Sequence, residues 1–78
     1  MKLHRLLGRI EALKGPGEEL SDGYYNLQMG PWLDKGDVLA GPLKMEGFVG
    51  TMYYQMFHPQ HGVVWLPTNH LIEIGEEG

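Results

Sequence analysis

The chain has 78 residues, 42% hydrophobic and 21% charged, with 12 glycines, 5 prolines and no cysteine. So short a chain makes one domain, without room for a nucleotide-binding α/β fold or a two-lobed cleft, and the lack of thiols excludes thiolate metal sites, disulfides and cysteine nucleophiles. The net charge of −4 is unevenly divided: residues 1–14 hold Lys2, Arg5, Arg9 and Lys14 against Glu11, a balance of +3, and residues 15–78 carry −7. That acidic body argues against a nucleic-acid partner, which would need several Lys or Arg contacts to phosphate.

Met1–Lys14 spaces Leu3, Leu6, Leu7, Ile10 and Leu13 as one stripe of an amphipathic helix, stopped by Gly15-Pro16. The same segment fits a strand over Arg5–Leu13, with Leu6, Gly8, Ile10 and Ala12 on one face. Gly8 inside the helix, no N-cap residue and cations at the wrong end of the macrodipole weigh against the helix. Both forms stay open, and residues 1–14 count as an N-terminal segment ahead of a main body at 15–78. As a helix, the stripe would have to cover a barrel end or join two copies of the chain.

From Gly15 a loop leads to a strand at Tyr24–Met29. Pro31–Gly36 is expected as a turn, Asp37–Ala40 as a strand, and Gly41-Pro42 as its end. Phe48–Phe57 gives the strongest strand signal, with Phe48, Gly50, Met52, Tyr54 and Met56 on the core face. His58-Pro59-Gln60-His61-Gly62 is expected as a hairpin loop, followed by strands at Val63–Leu66 and Leu71–Ile74 and an acidic tail. Four or five short strands in about fifty residues predict an all-β fold, a small closed barrel. No apolar run approaches the ~20 residues of a membrane span and the start is too charged for a signal peptide, so the expected location is cytoplasmic, away from membranes.

Two segments carry a resemblance. Leu33-Asp34-Lys35-Gly36-Asp37-Val38-Leu39 resembles the diverging turn and following strand of SH3 domains, and Pro67-Thr68-Asn69-His70-Leu71-Ile72 is similar to their short helical turn and last strand. About thirty residues with two strand candidates separate the two, as in an SH3-like barrel. The resemblance implies peptide binding in a groove between aromatic rings. Met52-Tyr53-Tyr54 stands where that family has a tryptophan pair, and His70 where it has a tyrosine. A groove here would be built instead from Tyr25, Trp32 and Tyr53. Gly41-Pro42-Leu43-Lys44-Met45-Glu46-Gly47-Phe48-Val49 resembles the KOW element, also found on SH3-like barrels, which implies nucleic-acid or ribosome binding as an alternative. Gly36-Asp37 and Val63-Val64-Trp65-Leu66-Pro67 are similar in placement to segments of type II dihydrofolate reductases. In those enzymes a Gln and a Tyr face the pore where Val64 and Leu66 stand, and neither of these can hydrogen-bond a cofactor or pterin.

The residues offer little chemistry of their own. His58 and His61 could give a metal two imidazoles from one loop, with His70 as a third, but no thiolate completes the set. Ser21 lies in a turn without a glycine-framed elbow, Glu18 and Glu19 form a solvated pair, and Pro16 spoils Gly15-Pro16-Gly17 as a phosphate loop. The expectation is no enzyme, no metal and no cofactor. Eight aromatic residues in the strand region outnumber the places inside a barrel this small, and surface Tyr and Trp favour contact centres. The expected function is a protein-interaction module (an adaptor, regulator or inhibitor). Its contact face uses Tyr25, Trp32, Tyr53, Pro67, Asn69 and His70 with an acidic rim, for a basic protein partner. Residues 1–14 are the expected route to a homo-oligomer.

Overall fold

Alternating polar and apolar side chains become strands along most of the chain. The computed structural model describes residues 1–15, 28–48 and 50–76. The strands are β1 Lys2–Leu6, β2 Ile10–Gly15, β3 Gln28–Leu33, β4 Val38–Phe48, β5 Thr51–His58, β6 Gly62–Pro67 and β7 Leu71–Glu76. They form one antiparallel sheet in the order β3-β2-β6-β5-β4-β1-β7. A single turn of 3₁₀-helix at Thr68–His70 stands where Pro67-Thr68-Asn69 predicts it. No helix among the described residues is long and apolar enough to cross a membrane.

Among the described residues the expected closed barrel is not formed: β3 and β7 are the two edges of the sheet and do not pair with each other. Closure would require a ladder between them. Pro31 in β3 has no N–H to contribute to one, and the charges of Glu73 and Glu76 keep β7 solvated. The sheet still bends around a main core, since every strand adds to it: Leu6, Ala12, Leu33, Leu39, Met56, Leu66 and Leu71 from β1 to β7 in turn. Burying each leucine stabilises the fold by ~1.5–3 kcal/mol. Val64 joins the same core beside Leu66.

A helix over residues 1–14 is overturned. Two strands replace it, with a break at 7–9 that contains Gly8. Alternation wins over the helical stripe because period 2 carries both Leu6 and Ala12 into the core, while Leu7 of the stripe is half-exposed. Tertiary pairing then satisfies the backbone of β1 on both sides, Leu3 lying opposite Ala40 of β4 and Gly75 of β7.

Three further boundaries move. Pro31, Trp32 and Leu33, expected as part of a turn, lie inside β3. Gly41-Pro42 does not end its strand; β4 runs on to Phe48 through an irregularity in which it advances four residues, from Ala40 to Lys44, while β5 gives two. Gly41 makes this possible with a φ of 138°, a region closed to most side chains. The long strand expected over Phe48–Phe57 is cut near its start, since Phe48 pairs with Thr51 and Gly50 turns with a φ of 74°. The face assignment beyond the turn holds: Met56 is buried, Tyr54 packs on the core, and Phe57 faces out. Met52, assigned to the core, is instead exposed near the turn.

Candidate functional site

The outer face of β3, β2, β6 and β5 gathers three of the six expected contact residues. In β3 the side chains alternate, so Leu33 enters the core and Trp32 points away from it, 55% exposed. Trp32 lies opposite Glu11 of β2, and cross-strand partners share a face. Leu13, two residues further along β2, is therefore on the same side, where it lies opposite Trp65 of β6. Leu13 and Trp65 form a second buried cluster with Tyr53 packed against it. Tyr53 of β5 is in turn the partner of Pro67.

Trp32, Tyr53 and Pro67 are thus on one face, linked by Leu13 and Trp65. Asn69 and His70 follow Pro67 on the 3₁₀ turn, where Asn69 Oδ1 lies 3.2 Å from His70 Nδ1. Asn69 is exposed and His70 half-buried. Tyr25 lies outside the described residues. The Arg9 guanidinium sits 5.0 Å from the centroid of the Trp32 ring, a cation–π contact whose strength grows as the pair is desolvated. Arg9 also reaches Asp34, at 3.7 Å. The rim carries both signs, with Glu11 beside Trp32, and Glu46 opposite Tyr53 and paired with Lys44 at 3.5 Å.

Trp65 and Leu13 were not singled out as contact residues in the sequence. The signal lies in β6, where Val64, Trp65 and Leu66 are all buried. Three consecutive buried residues in a strand require cover on both faces, because side chains alternate.

The second constellation joins the two turns at one end of the sheet. His58, only 3% exposed, closes β5, and Asp37 ends the turn before β4. His58 Nε2 lies 2.9 Å from Asp37 Oδ2, and the Gln60 amide donates to His58 Nδ1 at 3.1 Å. The amide fixes Nδ1 as acceptor and places the ring proton on Nε2, which donates to the carboxylate. Asp37 Oδ2 also accepts from the Asp34 amide at 3.2 Å. The hydrogen bond from His58 holds the Asp37 carboxyl below its ordinary value against the opposing effect of burial, with the Asp34 amide adding to it.

Both nitrogens of His58 are therefore engaged, which leaves neither a free base for catalysis nor a lone pair for a metal. His61, whose ring centroid is 4.8 Å from that of His58, packs on the turn. No group of three or more His, Cys, Asp or Glu side chains among the described residues is placed to hold a metal ion. Compared with known proteins, the chain matches no family model, no curated protein and no solved structure.

Proposed function

We propose that the chain is a non-enzymatic protein-interaction module on an SH3-like curled sheet, and that the face bearing Trp32, Tyr53 and Pro67 holds a basic segment of another protein. The observation that carries this reading is Trp32, more than half exposed on the outer face, with a guanidinium already over its ring. Arg9 makes the contact that an arginine of the partner would make. Large aromatic rings at the centre of a contact contribute more than the residues around them. Asn69 and His70 add hydrogen-bonding groups beside Pro67.

The test compares capture from the native host by the wild-type chain, Trp32→Ala and Tyr53→Ala. A protein held by the wild type, lost by both variants and released by rising salt supports the reading. Capture unchanged by both substitutions overturns it, as does a gel shift showing tight nucleic-acid binding at physiological salt.

A further inference from the structure

The loop between β5 and β6 is held by a bond that only a neutral imidazole can make. His58, the last residue of β5, pairs across the hairpin with Gly62, the first of β6, so both ends of the loop are fixed in the sheet. Between them the Gln60 amide donates to His58 Nδ1 at 3.1 Å and ties the loop tip to the ring. The His58 ring is buried, and the exposed His61 ring lies 4.8 Å from it, centroid to centroid.

A second proton on His58 has one place to go. Nε2 already carries a hydrogen and donates it to Asp37 Oδ2, so the proton must take the Nδ1 lone pair. Two N–H groups would then face each other in a part-buried site, and the Gln60 amide would have no acceptor there. The ring thus meets two opposed partners. Asp37, from the turn before β4, suits an imidazolium, whereas the Gln60 amide suits only the neutral ring. His61 adds to the conflict, because two protonated rings this close repel. Among the described residues these are the ionisable groups that meet His58. Asp34 and Lys35 of the turn are exposed, and the Asp34 carboxylate reaches Arg9 instead.

The loop tip also borders open space. Pro59, next to His58, lines an apolar groove of about 540 Å³, with Leu3, Val38, Ala40 and Phe57 among its other walls. We infer that residues 59–61 form a proton-operated latch on this groove. The latch is closed while His58 Nδ1 accepts from Gln60, and it is released when His58 takes a second proton. Release frees Pro59 without unfolding the sheet, because the His58–Gly62 pairing and the bond to Asp37 do not depend on Nδ1. It acts where imidazoles titrate, between about pH 8 and 5, and it involves none of Trp32, Tyr53 and Pro67.

Carbon-13 and nitrogen-15 NMR of the full chain, titrated over that range, tests the latch. At the alkaline end His58 should show the Nε2–H tautomer. On acidification the Gln60 amide resonance should shift with the same midpoint as the His58 ring. Its hydrogen exchange, corrected for the intrinsic effect of pH, should speed up by about five- to tenfold, while the Met56 and Val64 amides stay protected. His61→Gln should keep this coupled transition, and His58→Gln should remove it from the Gln60 amide. The wild-type titration decides the outcome even where His58→Gln destabilises the fold. A Gln60 amide that stays protected while His58 titrates overturns the inference. So does a transition that vanishes in His61→Gln, and so does a His58 ring that stays neutral until the whole chain unfolds.

Discussion

His58 Nε2 donates to Asp37 Oδ2 over 2.9 Å, and this bond ties the turn before β4 to the turn after β5. The main chain anchors the first of these turns to the end of β1, as the Leu6 amide donates to the Asp37 carbonyl at 2.9 Å and the Gly36 amide to the Leu6 carbonyl at 2.8 Å. Breaking the pair leaves a buried polar group without its partner, which costs ~1–3 kcal/mol. His58→Leu and Asp37→Asn should each lower stability by about that amount in urea denaturation, and the double variant should lose less than their sum.

The same pair gives a pH dependence of known sign. The folded-state pKa of Asp37 is depressed below 3.8, so its contribution is full above the unfolded value. It is lost as pH falls through the folded value, where the carboxylate is protonated. Stability of the wild type should therefore fall below about pH 4, and Asp37→Asn should remove part of that fall. Equal acid sensitivity of the two proteins would refute the assignment.

Gly41 and Gly47 separate backbone strain from simple crowding on one strand. A Cβ at Gly41 would lie 3.1 Å from the Met56 sulfur and 3.2 Å from the Leu43 nitrogen, at a φ of 138°. Gly41→Ala should destabilise by ~1–3 kcal/mol. A Cβ at Gly47 would meet the Met52 sulfur at 2.9 Å, but Met52 is exposed and flexible and can swing aside. Gly47→Ala should be close to neutral in thermal melts, and an equal loss at both positions would contradict this account.

His4 is buried beside Tyr54, with ring centroids 5.8 Å apart, and its Nδ1 has no hydrogen-bond partner. Burying a polar atom without a partner is unfavourable. Replacing His4 with leucine should raise stability by ~1 kcal/mol, an unusual direction for a core substitution. A loss in chemical denaturation would show that the imidazole makes a contact worth more than its unpaired nitrogen costs.

Removing residues 1–14 should abolish cooperative unfolding. Without β1, β4 and β7 lose the strand between them, and the core loses Leu6 and Ala12. Thermal melts followed by near-ultraviolet circular dichroism would check it. A truncated chain that melts like the full one would show that β1 and β2 contribute nothing.

Much of the strand content was legible in local pattern, because alternation at Tyr54, Met56 and Phe57 and the turn residues Pro59 and Gly62 are local signals. The 3₁₀ turn at Thr68–His70 was legible for the same reason. Residues 1–14 were ambiguous because five aliphatic residues satisfy the helical period, and only partners at Ala40 and Gly75 settle the matter. The extent of β4 was hidden by Gly41-Pro42, whose local preference for a turn is overridden by pairing with β5. On the outer face, Trp32, Tyr53 and Pro67 could be named from residue type. The buried link through Leu13 and Trp65 depends on a β2–β6 pairing between residues far apart in sequence, as does the His58–Asp37 bond.

The position of β1 between β4 and β7 has a consequence for synthesis. Residues 2–6 are made well before β7, yet that partner strand is completed only at Glu76. At ~5–20 residues per second, about seventy intervening residues take several seconds to add. Through that interval Leu3 and Leu6 wait without their final neighbours, while the β5–β6 hairpin can close as soon as both its strands are available. Lys2 and Arg5, together with the turn residues around Gly8, keep the waiting strand charged and short. The first strand of the chain is thus among the last to be locked into the sheet.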